Sequence, residues 1–227
     1  MNKFRVVEKF ISINGEGKLA GELAVFIRFA GCNMRCTYCD TLYAMDIDTP
    51  ISLMSEAEIY EYIKNTGVRN VTLTGGEPLI QPGIPELIRR LTVDENLRIE
   101  IETNGSIDTR RFLEGMTAPA AERVSFTIDY KCPASGCESY MYMPNFENVR
   151  NSDTVKFVVS DMNDLNRMLE IISEYRLLEK TAVYVSTAFG AIKPADVVGF
   201  MTEHKLNGLR LQLQLHKYIW PPEKRGV

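Results

Sequence analysis

Three of the five cysteines in this 227-residue chain fall within eight residues, with the spacing C-x3-C-x2-C from Cys32 through Cys36 to Cys39. A short loop with this spacing can turn three thiolates toward one point, and thiolates are common ligands of iron–sulfur clusters and of zinc. No fourth ligand lies nearby, which would leave one iron of a cubane cluster open for chemistry. A zinc site completed by His216 and a set of unrelated buried thiols are the alternatives.

The rest of the composition limits the class of protein. An odd number of cysteines argues against a secreted disulfide framework, so Cys132 and Cys137 are interpreted as free thiols or as a redox-active pair. The net charge of −4 disfavours a protein that coats nucleic acid. The sequence contains no apolar run of roughly 18 residues and no signal-peptide pattern, which predicts a cytoplasmic protein without a membrane span.

Short apolar runs rich in branched residues alternate along the chain with segments of helical period. Such runs are typical of strands that are buried on both faces. The predicted strands are Val6–Ile13, Ala24–Phe29, Val71–Thr74, Arg98–Glu102, Val124–Ile128, Thr154–Val159, Ala182–Ser186 and Leu209–Leu215. Their alternation with helices predicts an α/β fold in which crossover connections make the strands parallel.

Start and stop signals locate the helices between these strands. Ser55 and Glu58 have the spacing of a capping box, and Gly67 is suited to end the helix that follows. The predicted helices are Glu56–Thr66, Pro85–Leu91, a short one from Asp108 to Leu113, Asn163–Tyr175 and one from Pro194 to the Asn207-Gly208 pair. We therefore predict a single domain, residues 1–227, built as a partial (β/α) barrel of about six parallel strands, with its ligands at the carboxyl ends of the strands.

Motifs that follow the predicted strands give the chain a family resemblance. The cysteine loop comes after the first barrel strand, and Thr74-Gly75-Gly76-Glu77-Pro78 comes after the second. Together they resemble the radical S-adenosylmethionine (SAM) superfamily. Further segments resemble its 7-carboxy-7-deazaguanine synthases of the clostridial type, namely residues 12–17, 28–32, 38–41, 102–105 and 214–218.

The resemblance implies a reaction and a set of cofactors. Cys32, Cys36 and Cys39 would hold a [4Fe–4S] cluster whose open iron binds SAM, and the radical would be carried by the cofactor rather than by a catalytic side chain. The substrate would be 6-carboxy-5,6,7,8-tetrahydropterin, which is converted to 7-carboxy-7-deazaguanine by ring contraction with loss of ammonia. The resemblance further implies Mg²⁺ on Thr41, a flavodoxin- or ferredoxin-type electron donor, and a homodimer.

The remaining binding residues also follow from the resemblance. SAM would contact residues after the strands, namely Gly75, Gly76, Glu77, Asn104, Asp129, Tyr130, Lys131, Ser186, Thr187, Ala188 and Phe189. The pterin would contact Ile13, Asn14, Gly15, Arg28, Thr74 and His216.

Structural alternatives stand beside several of these roles. A buried salt bridge would also explain Arg28, a helix cap would explain Thr41, and a turn would explain Asn104. For the protein as a whole, two other functions are consistent with the cysteine loop. One is an activase that installs a glycyl radical on a partner enzyme, and the other is a zinc-stabilised binding module.

Overall fold

The computed structural model describes residues 3–46, 48–221 and 224–227. Within them the chain forms nine strands: β1 Lys3–Ile13, β2 Leu23–Phe29, β3 Ser52–Ser55, β4 Asn70–Gly75, β5 Arg98–Thr103, β6 Val124–Tyr130, β7 Thr154–Val159, β8 Ala182–Thr187 and β9 Leu209–Leu211. One sheet contains them all, in the order β3-β1-β2-β4-β5-β6-β7-β8-β9.

The helices of the described residues are α1 Glu56–Thr66, α2 Ile84–Thr92, α3 Ala118–Glu122, α4 Pro144–Glu147, α5 Met162–Tyr175, α6 Leu177–Lys180, α7 Pro194–Glu203 and α8 His216–Ile219. Short 3-10 turns occur at Leu42–Met45, Pro78–Ile80, Arg110–Phe112, Pro133–Ser135 and Glu138–Tyr140. In the part of the chain that the structure describes, no helix is long and apolar enough to cross a membrane.

The sheet is mainly parallel. Six successive parallel pairings join β2 to β9, so β2 and β4 to β9 all run in one direction. β1 is antiparallel to β2, and β3 pairs with β1 as an antiparallel edge strand. The predicted α/β fold with parallel strands is therefore confirmed, although β3 was not predicted because its four residues lie next to the start of α1 without a pattern of their own.

The two faces of the sheet differ in chemistry because side chains alternate along each strand. Residues on the outer face are fully buried hydrophobic groups that pack under the helices, among them Ile27, Leu73, Ile101, Phe157 and Val185. The inner face bears polar and charged side chains instead. They include Arg28, Thr72, Thr74, Glu100, Glu102, Thr127, Asp129, Lys156 and Ser186.

The polar inner face is concave. Five strand spacings separate β1 from β7, which would be about 24 Å in a flat sheet. Glu16, only three residues beyond the end of β1, nevertheless forms an ion pair of 2.5 Å with Lys156 on β7. The sheet must therefore curve around this loop, as expected for a partial barrel.

Local signals predicted α1 best. Ser55 and Glu58 form the complete capping box, and Gly67 ends the helix in the left-handed region with φ 68°. The start of α5 was predicted one residue late, because Asp161 is the N-cap residue and its carboxylate accepts a hydrogen bond from the Asp164 N–H.

Three other predicted boundaries were wrong. The helix predicted from Asp108 to Leu113 is only a 3-10 turn, Arg110–Phe112. The helix that begins at Pro194 ends at Glu203, well before Asn207. The last strand stops at Leu211, because the Gln212 side chain accepts a hydrogen bond from the Gly17 N–H and the chain then turns into α8.

Candidate active site

The cysteine loop begins directly after β2. Cys32, Cys36 and Cys39 are half-exposed free thiols. Among the described residues, no group of three or more His, Cys, Asp or Glu side chains is arranged as a metal site. Burial raises the pKa of the Cys36 thiol to about 12. The structure thus places the three cysteines in one loop without bringing their sulfurs together as ligands.

The glycine motif packs its backbone directly against this loop. Gly75 ends β4 with φ 133°, and a Cβ there would lie 2.3 Å from the Phe29 carbonyl oxygen. A Cβ on Gly76 would lie 1.9 Å from the Gly31 carbonyl oxygen. The Gly76 N–H donates to the Phe29 carbonyl at 3.0 Å, and the Glu77 N–H donates to the Gly31 carbonyl at 2.8 Å. Glycine is required here so that the ends of β2 and β4 can meet.

Glu77 fastens the ends of β4 and β5. Its carboxylate is completely buried and accepts hydrogen bonds from the Leu79 N–H at 2.9 Å, the Thr103 hydroxyl at 2.8 Å and the Asn104 N–H at 2.7 Å. Burial raises the pKa of Glu77 to about 7 despite these donors. The side chain is fully used inside the protein, which leaves only the Glu77 backbone for a ligand.

Asn104 lies beside the cysteine loop. Its amide Nδ2 donates to the Asn33 Oδ1 at 2.9 Å and to the Cys32 sulfur at 3.5 Å. Its Oδ1 accepts from the N–H and hydroxyl of Ser106, which is the hydrogen bonding of a turn residue. The turn considered for Asn104 is therefore present, and its contact with SAM stays a prediction.

The Asp129-Tyr130-Lys131 segment divides between the two faces. Lys131 forms an ion pair of 2.7 Å with Asp129 on the inner face, and the Asp129 Oδ1 is a buried oxygen with no hydrogen-bond donor. Tyr130 points the other way, into the core against Phe146, and donates its hydroxyl to Glu138 at 2.6 Å. Alternation along β6 puts the Tyr130 ring on the outer face. The Tyr130 side chain, predicted to contact SAM, therefore does not reach this site.

Arg28 and Thr74 project from neighbouring positions of β2 and β4 on the inner face. Arg28 forms a salt bridge of 2.9 Å with Glu8, which also accepts from the Tyr43 hydroxyl. The salt bridge considered for Arg28 is thus present. Burial raises the pKa of the Glu102 carboxyl, although the Thr74 hydroxyl acts to lower it.

Thr41 occupies the cap position of the 3-10 turn Leu42–Met45 but makes no capping hydrogen bond. Its hydroxyl donates to the Asp40 carboxylate at 2.7 Å. Desolvation would raise the pKa of Asp40, but the Thr41 hydroxyl and nearby cations, Lys156 first, lower it. Thr41 and Asp40 together offer hard oxygen donors of the kind that Mg²⁺ accepts. Asp40 had not been selected from the sequence, although it stands inside the Cys-Asp-Thr motif.

The loop after β1 reaches the inner face and meets the C-terminal segment. Asn14 is 2% exposed, its Oδ1 accepts from the Thr72 hydroxyl at 2.9 Å, and its Nδ2 is buried without a partner. A Cβ on Gly15 would lie 2.9 Å from the His216 Nδ1. The Gly15 carbonyl accepts from the Leu215 N–H at 3.2 Å. Asn14, Gly15 and His216 are therefore brought together, with Ile13 at the end of β1.

An ion pair between Glu16 and Lys156 also lies on the inner face, and it was not predicted from the sequence. Glu16 binds Lys156 and accepts from the Ser186 hydroxyl at 3.0 Å. Burial would lower the pKa of Lys156, but the carboxylates, Glu16 first and then Asp129, raise it. Lys156 interrupts the otherwise apolar strand β7, which is the same signal that had drawn attention to Arg28.

The residues from Ser186 to Phe189, at the carboxyl end of β8, differ in their surroundings. Ser186 is buried and engaged with Glu16, and the Ala188 N–H donates to the Val159 carbonyl at 2.8 Å. Thr187 is half-buried and alternates to the outer face. Phe189 is 77% exposed, with the Lys217 ammonium 5.0 Å from its ring centre.

Comparisons with known proteins agree with this arrangement. The family model described as "Radical SAM superfamily" matches residues 26–131, which begin within β2 and include the cysteine loop and the glycine motif. The chain is 54% identical over 224 residues to the 7-carboxy-7-deazaguanine synthase of Clostridium acetobutylicum, covering 99% of both chains. It is 34% identical to the synthase of Chlorobaculum tepidum, over 98% of this chain and 96% of that relative. A crystal structure of QueE from Escherichia coli has the same fold, with a TM-score of 0.68 at 21% identity over 92% of this chain and 94% of that one.

The parallel sheet, the cysteine loop and the matched model define a radical SAM domain. Within that class, the chain belongs to the 7-carboxy-7-deazaguanine synthase family. Both resemblances found in the sequence are therefore confirmed. Membership of the radical SAM class implies a [4Fe–4S] cluster and SAM as cofactors.

Proposed function

We propose that this chain is a radical SAM lyase that converts 6-carboxy-5,6,7,8-tetrahydropterin to 7-carboxy-7-deazaguanine with loss of ammonia, a step of queuosine and 7-deazapurine biosynthesis. The single observation that carries the proposal is the nearly full-length identity of 54% to a synthase of that name. The polar concave face beside the cysteine loop supports it, because a pterin carries many hydrogen-bonding atoms and a carboxylate.

In this proposal Cys32, Cys36 and Cys39 hold the cluster. Three free thiols in one eight-residue loop suit iron–sulfur chemistry, and a fourth ligand is absent from the loop itself. When bound, the cluster and SAM supply a 5′-deoxyadenosyl radical. Gly75 and Gly76 hold the cysteine loop in place by backbone contact, and Glu77 fixes the strand end behind them.

The SAM site is proposed along the carboxyl ends of the strands. Asn104 adjoins the cysteine loop, and Asp129 and Lys131 form an ion pair next to Cys36, with one carboxylate oxygen of Asp129 free to accept from a ligand. The segment Ser186 to Phe189 would contribute mainly backbone atoms and the exposed Phe189 ring. Tyr130 and Glu77 would contribute only backbone atoms, because their side chains are buried in the protein.

The pterin site is proposed on the inner face between the loop after β1 and the C-terminal segment. Arg28 is a cation suited to the substrate carboxylate. Thr74 is paired with Arg28 in the sheet, and His216 lies against Gly15. Asn14 has an amide Nδ2 without a partner, which is available to a ligand acceptor. Mg²⁺ would bind the Thr41 oxygen and the neighbouring Asp40 carboxylate and would help to orient the substrate carboxylate.

Three further expectations belong to the proposal. A one-electron donor of the flavodoxin or ferredoxin type would reduce the cluster, because the reaction needs an electron that the chain does not store. The protein would act in the reducing cytoplasm, where its five free cysteines stay reduced. It would assemble as a homodimer, as the family resemblance implies.

The test is an anaerobic assay with the pterin, SAM, Mg²⁺ and a chemical reductant. We expect 7-carboxy-7-deazaguanine, with many turnovers per SAM, because hydrogen returns to the cofactor. Substrate deuterated at C6 should pass label into recovered SAM. Absence of product from a brown, fully loaded protein would overturn the proposal. A glycyl radical formed on a partner enzyme instead would assign the chain to the activases.

A further inference from the structure

Asn33, Asn104 and Ser106 form a closed ring of side-chain hydrogen bonds beside Cys32. The Asn104 Nδ2 donates to the Asn33 Oδ1 at 2.9 Å, and the Asn33 Nδ2 donates to the Ser106 hydroxyl at 2.8 Å. That hydroxyl donates to the Asn104 Oδ1 at 2.7 Å and so closes the ring. The three bonds run in one direction, which lets each strengthen the next. Asn33 and Ser106 had not been selected from the sequence as site residues.

The ring fixes which side of the Asn104 amide faces the cysteine loop. Its Oδ1 accepts a second hydrogen bond, from the Ser106 backbone N–H at 3.1 Å. An amide turned over would set two donors against each other at Ser106 and two acceptors against each other at Asn33. The Nδ2 group has two hydrogens, of which Asn33 takes one. The other is directed to the Cys32 sulfur, 3.5 Å from the Nδ2 atom.

The Cys32 sulfur is therefore an acceptor for two N–H groups. The second is the Met34 backbone N–H, at 3.4 Å. The Asn33 Oδ1 lies farther from the sulfur, at 4.0 Å. Asn104 is only 7% exposed, so water competes little for its N–H. These surroundings suit a sulfur that carries negative charge, as a thiolate ligand of iron does.

We propose that Asn104, held in place by Asn33 and Ser106, raises the reduction potential of the [4Fe–4S] cluster. An N–H donated to a thiolate ligand stabilises the reduced cluster more than the oxidised one, because the reduced cluster carries one more negative charge. The cluster then accepts an electron from its donor more readily. This inference rests on the proposed function, in which Cys32 is a cluster ligand. Asn104 is a positioning residue in this role, and the role does not require SAM.

The experiment measures the reduction potential of the reconstituted full chain. The reduced cluster is followed by electron paramagnetic resonance at a series of set potentials, anaerobically and without SAM or the pterin. Asn104→Asp keeps the shape of the side chain and removes the donor. At a fixed potential we expect it to lower the ratio of reduced to oxidised cluster at least tenfold, which is about 59 mV for one electron. Asn163→Ala, at an exposed asparagine of α5, is the control and should match the unmodified chain.

Variants of the ring test the orientation of Asn104 without replacing it. Asn33→Ala removes one partner of the Asn104 Nδ2 and should lower the potential, by less than Asn104→Asp does. Ser106→Ala should lower it least, because the Ser106 backbone N–H still holds the Asn104 Oδ1. If Asn104→Asp takes up no iron, Asn33→Ala decides the question. An unchanged potential in a fully loaded Asn33→Ala would overturn the proposal.

The other outcomes separate this role from the alternatives. An unchanged potential in a fully loaded Asn104→Asp would leave Asn104 as a turn residue and would overturn the proposal. An unchanged potential together with weaker SAM binding, measured by calorimetry, would assign Asn104 to SAM instead. The proposed function is judged separately, by product formation in the unmodified chain. A loaded and reducible protein that forms no 7-carboxy-7-deazaguanine would overturn that function and leave the effect on the potential intact.

Discussion

The carbonyl oxygen of Gly31 stands 1.9 Å from the position that a Cβ on Gly76 would take. The same oxygen accepts a hydrogen bond from the Glu77 N–H at 2.8 Å. The cysteine loop and the glycine motif are thus in direct backbone contact where each leaves its strand. A ligand held by one of them is positioned by the other, because neither backbone can move alone.

Gly76→Ala should displace the cysteine loop. Its methyl group would meet backbone atoms, which cannot rotate away as a side chain can, and overpacking of this kind costs about 1–3 kcal/mol. We expect a lower thermal midpoint, incomplete iron loading and at least tenfold weaker SAM binding, measured by calorimetry on reconstituted protein. Gly199→Ala is the control, since a Cβ there meets nothing within 4 Å in α7. Wild-type SAM affinity in Gly76→Ala would refute this role of the contact.

Replacement of any one of Cys32, Cys36 or Cys39 with alanine should abolish the cluster. The reason is that the loop offers three thiols and no spare one. Anaerobic reconstitution should give close to four irons per chain in the unmodified protein and in Cys132→Ala, by iron assay and by absorbance near 400 nm. Normal iron content in Cys39→Ala would contradict the assignment of ligands.

The sequence predicted those parts of the fold that depend on local patterns. The apolar runs of β2 and β4 to β8 and the capping box of α1 are signals within a few residues of the element itself. β3 and the early end of β9 depend on partners far away in the chain. The Gln212 side chain, for example, leaves the strand to bind Gly17.

The site was predictable to a similar extent. The motifs identified Cys32, Gly76 and Asn104, which the structure places together. The motifs did not reveal contacts between distant parts of the chain. The ion pair of Glu16 with Lys156, for example, forms only when the sheet curves. A search for every charged residue inside an apolar strand would have found Lys156 but not its partner.

Thr41→Ala should lower turnover and weaken the response to added Mg²⁺, with unchanged iron content. The Thr41 hydroxyl makes no capping bond and lies against Asp40, so its loss removes an oxygen donor rather than a helix cap. Activity is measured against Mg²⁺ concentration, and Thr41→Ser, which keeps the hydroxyl, serves as the control. An unaltered Mg²⁺ response in Thr41→Ala would remove Thr41 from the metal site.

The Glu16–Lys156 pair should behave as one unit. Lys156→Met leaves the Glu16 carboxylate without its cation on the inner face, and breaking a buried pair in this way costs about 3–5 kcal/mol. The double variant Glu16→Gln/Lys156→Met should lose clearly less than the sum of the two single variants. Urea unfolding of the three variants measures this difference. Strict additivity would show that the two side chains do not stabilise each other.

Glu100 should make the protein less stable as the pH rises. Its carboxylate lies on the inner face and accepts from the Thr127 hydroxyl at 2.7 Å. Burial, together with the nearby Glu102, raises its pKa from 4.5 to about 7. The folded chain therefore holds this proton where the unfolded chain has lost it. The contribution of Glu100 to the free energy of unfolding is therefore fully present below pH 4.5 and is lost as the pH rises through about 7.

Glu100→Gln removes that dependence, because an amide keeps the size of the protonated acid and does not titrate. We expect its thermal midpoint to exceed that of the unmodified chain at about pH 8 by roughly 2–4 °C for each kcal/mol recovered. Near pH 5 the two midpoints should converge, since Glu100 is protonated in the folded state there. Thermal unfolding followed by circular dichroism at both values provides the comparison, with the exposed Glu95→Gln as the control. The opposite result would be a lower thermal midpoint for Glu100→Gln than for the unmodified chain at the higher pH. It would mean that the charged carboxylate is paired and stabilising, and that burial does not raise the pKa of Glu100.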